Sequence, residues 1–213
     1  PPIDLPGAVS GLVPDPHWKQ QYHWPYRGRQ LLIAQTWDPG DDINMAIGQG
    51  YLLVSPLQQA VAYSAIENGG TVVTPHVGKE IIGPDGNVIQ RGTIDPPPQR
   101  ELNLPQPLLD EIKQGLFGAT HASDGTSTST FGSFQPTVYG KTGTAEAPTI
   151  ECPDCADAWW AGWAEQGGRP LVVVAMIHNG GHGGVSAAPV AAQMFAAFFH
   201  THYKAQPGHD ISR

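Results

Sequence analysis

The residues best suited to chemistry are Lys141, Thr142, Gly143 and Thr144, which are consecutive in the sequence. A lysine ammonium supplies a fixed positive charge, and two threonine hydroxyls can donate hydrogen bonds to a carboxylate. A backbone N–H of the same segment can stabilise an oxyanion. Because Gly143 has no side chain, an element that carries a nucleophile can approach it closely. The set predicts a substrate-binding strand, although a lone Lys-Thr-Gly also fits an edge strand with a solvated lysine.

A second candidate for chemistry is Ser186, because Gly184–Ala188 approximates the Gly-x-Ser-x-Gly nucleophile elbow. In a true elbow the serine follows its strand immediately, whereas here Asn179–Gly184 intervenes. We therefore interpret Ser186 as a residue at the start of a helix. A serine hydrolase that uses Ser186 stays the weaker chemical alternative.

The chain has two cysteines, Cys152 and Cys155. They would form half of a zinc site if Asp154, Asp157 or a histidine completed it. A local disulfide suits an extracytoplasmic protein, and a redox-active pair lacks the helix start that activates a thiol. Since there is no second cysteine pair, we favour a disulfide or free thiols over a metal site. We expect neither a metal nor a cofactor.

Histidines and tryptophans near the end of the chain invite metal-binding and sugar-binding interpretations. Strand alternation places Trp159 and Trp163 on one face and Trp160 on the other, which favours packing within a sheet over a sugar platform. We interpret the histidines as surface residues because neighbours two apart on a helix point away from each other. These histidines are His178, His182, His200 and His202.

Composition excludes several classes of protein. The 213 residues include 26 glycines and 21 prolines, and only 14% are charged, which excludes a long helical bundle or coiled coil. The net charge of −8 excludes the basic footprint of a nucleic-acid binder. Since 40% of the residues are apolar, disorder is also excluded. The longest apolar run, Leu171–Ile177, is far shorter than the ~20 residues that a membrane-spanning helix needs.

The first part of the chain, residues 1–54, carries repeated turn signals. Examples are Pro14-Asp15-Pro16 and Asp38-Pro39-Gly40. A structureless stretch of this length is unusual inside a compact domain. We therefore expect an irregular segment that drapes over other structure.

The middle part, residues 55–136, is expected to hold helices and a small hairpin. Serine, proline and glutamine at Ser55–Gln58 predict the start of the first helix. Short strands are predicted over 72–75 and 79–82, and residues 88–90 are expected to pair with the second of them after the turn Pro84–Asn87. A second helix is predicted over about 107–117, and a Ser/Thr/Gly-rich loop over 120–133.

The last part, residues 137–205, reads as three strands and a closing helix. The strands are predicted over 137–144, 158–165 and 171–177, and the helix over about 188–202. The helix is expected to bury a stripe made of Val190, Met194, Phe195, Phe198 and Phe199. Antiparallel strands packed with helices place the chain in the α+β class.

Several short segments, taken together, resemble the transpeptidase domain of class B penicillin-binding proteins, and most closely the penicillin-binding protein 2 family. Their order and spacing are far more specific than any one of them. They run through nearly the whole chain. The matching segments are Ile3–Gly7, Ser10–Pro14, Trp18-Lys19, Ile47–Tyr51, Ser55–Gln58, Ala62-Tyr63, Asn68–Gly70, Gly140–Glu146, Asp157–Ala164 and Asn179–Gly181.

The resemblance implies a penicillin-binding transpeptidase (β-lactamase-like) fold and a serine D,D-transpeptidase. A serine in a Ser-x-x-Lys motif attacks the D-Ala-D-Ala end of a peptidoglycan stem peptide, and β-lactams mimic that donor. The catalytic set implied here is Lys141, Thr142 and Gly143. The Thr142 and Thr144 hydroxyls would bind the substrate carboxylate, and the Thr144 N–H would form half of the oxyanion hole. The cleft is expected along this strand, bordered by the Thr120–Thr130 loop.

The sequence departs from the family in one respect that matters. It contains neither Ser-x-x-Lys nor Ser-x-Asn. Both motifs precede Ile3–Gly7 in the family, so we interpret the chain as the C-terminal part of the domain, inactive without the preceding part. A non-catalytic domain that binds β-lactams or peptides, or that scaffolds a partner, is the alternative outside enzymes.

The resemblance also implies a setting for the protein. The domain would lie on the extracytoplasmic face of the bacterial inner membrane, held by an upstream anchor. Its expected partners are peptidoglycan stem peptides, β-lactams, the N-terminal part of the same protein and a glycan polymerase of the elongation machinery. Nucleic acid is not among them.

Overall fold

The computed structural model describes residues 7–22, 24–91, 100–147 and 152–204. Val9–Ser55 forms one compact unit, and the described residues from Pro56 onward form most of another. None of the helices in the described ranges is long and apolar enough to span a membrane. Of the segments that carry the family resemblance, Ile3–Pro6 lies outside the described residues.

The unit Val9–Ser55 contains three short helices, α1 (Pro16–Gln21), α2 (Gly28–Gln35) and α3 (Pro39–Ala46). The expectation of an irregular segment is therefore wrong here. The two Asp-Pro pairs that we interpreted as turns are helix starts, with aspartate as the N-cap and proline in the first turn. An N-cap and a turn share the same residue types, so local sequence does not separate them.

A buried ion pair connects α1 to α3 within this unit. Lys19 is only 4% exposed, and its Nζ lies 2.6 Å from Asp41 Oδ2. Burial by itself raises the pKa of Asp41. The hydrogen bond from Lys19, the N–H of Asp38 and the lysine charge outweigh it, so the pKa lies below the usual value. Asp41 is thus a carboxylate at neutral pH.

The second unit is built around one antiparallel sheet. Its elements are α4 (Pro56–Glu67), β1 (Thr71–Val72), β2 (Glu80–Ile82), β3 (Val88–Arg91), β4 (Arg100–Glu101), α5 (Gln106–His121), α6 (Thr128–Phe131), β5 (Val138–Glu146), β6 (Ala156–Gln166), β7 (Arg169–Ile177) and α7 (Gly183–Phe199). β5, β6 and β7 lie side by side in that order. β2 pairs with β3, and β1 pairs with β4.

The local predictions for this unit are largely confirmed. The first helix begins at Pro56, directly after the predicted Ser55 cap position, and the predicted hairpin is β2–β3. The three predicted strands are β5, β6 and β7, and the observed sheet and flanking helices are α+β. The pairing of β1 with β4 was not predicted, because its strands are only two residues long and Val72 and Arg100 are 28 positions apart.

The two faces of β6 pack on different helices, as the predicted alternation of its tryptophans requires. On one face the Trp160 ring is fully buried, and its centroid lies 4.8 Å from Phe131 of α6 and 5.8 Å from Phe195 of α7. On the other face Trp163 meets Tyr63 of α4 at 6.4 Å. Packing therefore accounts for these two rings.

The closing helix α7 packs on the sheet through small residues. Phe195 of the predicted stripe is fully buried, and Phe199 packs against the core while partly buried. The prediction is wrong for Val190 and Met194, which are 40% and 49% exposed. Alanine side chains allow the helix axis to approach the sheet closely, so the smallest apolar residues form the contact. The residues of α7 that are fully buried are Ala187, Ala188, Ala191, Ala192 and Phe195.

Candidate functional site

The Lys-Thr-Gly segment lies in the middle of β5. Lys141 pairs with Ala161, Thr142 with Trp160 and Gly143 with Trp159. In the described part of the chain β6 is the only strand that pairs with β5, so β5 is an edge strand there. The strand thus offers one backbone edge and the side chains of a short polar segment to an approaching ligand.

A glycine pair anchors the strand just before the lysine. Gly140 and Gly162 lie opposite each other across β5 and β6. A Cβ atom on Gly140 would overlap the ring of Trp160, and one on Gly162 would overlap the carbonyl oxygen of Tyr139. Because the buried Trp160 ring lies directly against this backbone, the strand is fixed to the core one residue before Lys141.

The Lys141 ammonium is surrounded by hydroxyl and carbonyl oxygens. Its Nζ donates to the Thr142 carbonyl at 3.0 Å, to Thr142 Oγ1 at 3.1 Å and to Thr126 Oγ1 at 3.4 Å. The Thr142 hydroxyl in turn donates to Thr126 Oγ1 at 2.8 Å. Two hydroxyls next to a cation form a donor set that suits a carboxylate.

The start of α7 lies against the other half of the segment. The Gly183 N–H donates to Thr144 Oγ1 at 3.5 Å. A Cβ atom on Gly183 would overlap the carbonyl oxygens of Gly143 and Trp159, and one on Gly184 would overlap the carbonyl of Thr126. The glycines therefore permit a backbone contact that no other residue would fit.

The turn between β7 and α7 fixes where that helix begins. Asp157 Oδ1 accepts hydrogen bonds from His178 Nδ1 at 2.8 Å and from the Asn179 N–H at 3.0 Å. Ser186 lies in the first turn of α7, at the start of the helix as predicted. Its hydroxyl donates to the carbonyl of Gly180 at 2.6 Å and so stabilises the connection between β7 and α7.

The predicted Thr120–Thr130 loop is shorter than expected. Thr120 belongs to α5, where its buried hydroxyl donates to the Val138 carbonyl at 2.7 Å, and Thr128 begins α6. The connection that borders the segment is residues 122–127. No local sequence pattern marks Thr126, because its contact with Thr142 spans 16 positions.

Cys152 and Cys155 form a disulfide, with their Cα atoms 5.4 Å apart. This agrees with the preference for a disulfide or thiols over metal. Within the described ranges no group of three or more His, Cys, Asp or Glu side chains could hold a metal ion. Beside the bridge, the Ala147 N–H donates to the Cys155 carbonyl at 2.9 Å. The four histidines interpreted as surface residues are all exposed.

We expect the unreduced protein to resist alkylation at both cysteines and to gain two alkyl groups after reduction. The bridge closes a short loop, since its cysteines are three positions apart. The chain-entropy model assigns such a loop roughly 2 kcal/mol of stabilisation, so reduction should lower the melting temperature only modestly. Intact-mass spectrometry with and without reductant measures the first effect. Alkylation of the unreduced, folded protein would contradict the bridge.

Nearly the whole chain matches one known protein family. The model of the penicillin-binding protein transpeptidase domain matches residues 1–196. The chain belongs to the penicillin-binding protein transpeptidase family. Within that family it is of the class B, penicillin-binding protein 2 type. It is 29% identical over 204 residues to the peptidoglycan D,D-transpeptidase MrdA of Haemophilus influenzae, covering 90% of this chain and 29% of that relative.

Solved penicillin-binding proteins have the same fold. Penicillin-binding protein 2 of Pseudomonas aeruginosa, in complex with WCK 5153, superposes with a TM-score of 0.72 at 28% identity, covering 95% of this chain and 40% of that one. Penicillin-binding protein 2 of Helicobacter pylori, in its complex with MreC, superposes with a TM-score of 0.70 at 23% identity, covering 93% of this chain and 32% of that one. The chain spans less than a third of the length of the curated relatives it matches.

Proposed function

We propose that the protein containing this chain is a peptidoglycan D,D-transpeptidase and that this chain supplies the substrate-binding strand of its active site. The observation that carries the proposal is the cluster of Lys141, Thr142 and Thr126 on edge strand β5, in a chain of the transpeptidase family. The relatives named D,D-transpeptidases support the reaction.

Thr142 and Lys141 suit recognition of the terminal carboxylate of a stem peptide. The Thr142 hydroxyl is 3.1 Å from the Lys141 ammonium, so a carboxylate held by this hydroxyl would also meet a positive charge. Lys141 has a second role, which is to stabilise negative charge as the serine loses its proton. Thr144 would donate the second hydroxyl to the carboxylate.

Gly143 and Thr144 suit the oxyanion that forms during acyl transfer. The N–H of Thr144 would donate to the developing negative charge, and the small Gly143 would leave room for the scissile carbonyl. A fixed donor contributes more than a mobile one, because it needs no reorganisation in the transition state. The contact of Gly183 with both residues keeps this stretch of β5 in place.

The reaction has two acyl transfers. A serine Oγ of an upstream Ser-x-x-Lys motif attacks the D-Ala-D-Ala carbonyl, an ester bond forms, the peptide C–N bond breaks, and the leaving D-alanine amine takes the serine proton. An amine of a neighbouring stem peptide then attacks the ester. The new amide forms, the ester C–O bond breaks, and the serine regains a proton. A β-lactam would follow the first step only.

The cellular setting is part of the same proposal. The substrate lies outside the cytoplasmic membrane, so the domain would face that side, held by an upstream anchor. A glycan polymerase would supply the strands that are cross-linked, and the role would be in cell elongation and cell shape. The assignment of the relatives to peptidoglycan synthesis supports this setting.

The test is covalent labelling of the full-length protein by a fluorescent penicillin, followed by peptide mapping. We expect a label that survives denaturation, attached to a serine of a Ser-x-x-Lys motif outside these 213 residues. Ser186→Ala should label as the wild type does, because its hydroxyl serves the α7 turn.

Three results would contradict the proposal. A label on Ser186 would favour the serine hydrolase. Penicillin that is retained but released on denaturation would favour a non-catalytic binding domain. If the full-length protein neither binds nor reacts with the penicillin, the scaffolding role is favoured.

A further inference from the structure

Thr126 lies beside the substrate-binding strand although it belongs to a different segment. It is in the connection between α5 and α6, and its Oγ1 is 2.8 Å from Thr142 Oγ1 and 3.4 Å from Lys141 Nζ. Its side chain is exposed. A hydroxyl there is adjacent to the group that the proposed function assigns to the substrate carboxylate.

The backbone around Thr126 is held firmly on both sides. A Cβ atom on Gly125 would come within 2.6 Å of the Gly118 carbonyl oxygen and 2.8 Å of the Ala119 one, so the chain passes directly against α5. On the other side the Ser127 N–H donates to the Ala119 carbonyl at 3.1 Å. Ser127 itself is fully buried. The position of the Thr126 hydroxyl is therefore set by the packing of α5.

The chemistry of hydroxyls gives this contact a direction. Thr142 has one hydroxyl proton, which it donates to Thr126. To bind a carboxylate, Thr142 must turn that proton toward the ligand, and its oxygen then accepts from a neighbour. Thr126 can supply the proton, since rotation about two C–O bonds reverses the hydrogen bond without moving a heavy atom. A chain of hydroxyls that donate in one direction is strengthened by mutual polarisation.

We propose that Thr126 is a positioning residue for substrate recognition, acting through Thr142. When the Thr142 hydroxyl donates to the substrate carboxylate, the Thr126 hydroxyl donates to Thr142. Thr126 touches neither the substrate nor the reacting carbonyl. It fixes the rotamer and the proton direction of Thr142 and accepts from the Lys141 ammonium before substrate binds. This inference rests on the proposed function.

The test is the acylation kinetics of the full-length protein over a range of fluorescent penicillin concentrations, which separates the binding constant from the acylation rate constant. We expect Thr126→Val to weaken binding about tenfold, because losing one hydrogen bond in a network with a charged group changes a binding constant by about that factor. The rate constant should change far less, because the interaction is made in the ground state as well as in the transition state. Thr126→Ser should restore binding.

A matched control and a double-mutant cycle separate positioning from a structural role. Thr128→Val removes a hydroxyl that donates to the Ala122 carbonyl at 2.6 Å in the same segment, and it should leave acylation unchanged. If Thr126 acts through Thr142, then Thr126→Val should have almost no further effect in a Thr142→Val background. If Thr126→Val instead acted by disturbing the local structure, it would weaken binding as much in the Thr142→Val background as in the wild type.

The outcomes distinguish this inference from the proposed function. If penicillin does not acylate the wild-type protein, both the proposed function and the role of Thr126 are wrong. Normal acylation of the wild type with unchanged binding in Thr126→Val would overturn only the role of Thr126. Equal losses in Thr126→Val and Thr128→Val, or additive losses in the cycle, would also overturn it. Where thermal unfolding shows that the valine variant is not folded, Thr126→Ala takes its place.

Discussion

Replacing Lys141 with alanine is expected to lower the rate of penicillin acylation of the full-length protein by about a hundredfold or more. Loss of one fixed donor to a developing oxyanion costs that much in other acyl-transfer enzymes. Here the substitution also removes the charge beside the Thr142 hydroxyl, at 3.1 Å from Nζ to Oγ1. Stability should change little, because the Lys141 side chain is exposed. The measurements are time-resolved labelling and thermal unfolding.

Two control variants identify the cause of that loss. Lys79→Ala removes an exposed lysine from outside the site and should label at the wild-type rate. Lys141→Arg keeps the charge but replaces a compact ammonium with a planar fork, so we expect it to recover only part of the rate. If Lys141→Ala is labelled at the wild-type rate, the Lys-Thr-Gly strand is not part of the active site and this part of the proposal is wrong.

The second large effect is expected from Gly183→Ala at the start of α7. The new Cβ would overlap the carbonyl oxygens of Gly143 and Trp159, which are backbone atoms and cannot rotate away. Either α7 or the substrate-binding strand must therefore shift. Overpacking of this kind costs about 1–3 kcal/mol of unfolding free energy. A shift of Gly143 and Thr144 should also slow acylation about tenfold or more, since small displacements of reacting groups are costly.

Gly115→Ala is the matched control for this substitution. Gly115 lies in α5 with no atom near the position of a Cβ, so alanine should stabilise the helix by about 0.5–1 kcal/mol. Unfolding and acylation are measured on both variants and on the wild type. Wild-type acylation in Gly183→Ala would mean that α7 does not hold the strand in its active geometry.

The sequence predicts the secondary structure of the two units to different extents. From Ser55 onward, cap residues and alternation predicted the first long helix, the hairpin and the three strands of the sheet. In Val9–Ser55 the same rules failed, since the aspartate-proline pairs there start helices. Both signals depend on the same side chains, and only the following backbone hydrogen bonds decide between a turn and a helix.

The packing of α7 shows a second limit. The large apolar residues Val190 and Met194 follow the helical pattern of a buried stripe, yet both are exposed. The contact with the sheet is made by alanines, which have too little surface to dominate a hydrophobic pattern. Their small size is nevertheless what lets the helix approach closely enough for Gly183 to meet the backbone of β5.

The sequence by itself predicted the chemistry of the proposed site and the strand on which its residues lie. A lysine, two threonines and a glycine at consecutive positions, with the surrounding motifs, identified the family and the residues of the proposed site. The tertiary structure alone decided what surrounds them: Thr126 beside Thr142, and Gly183 against Gly143. Helices and strands are formed by hydrogen bonds that recur along or beside the chain, so they leave periodic residue patterns in the sequence. Contacts across 16 or 40 positions depend on where helices pack, and packing is settled by the whole core at once.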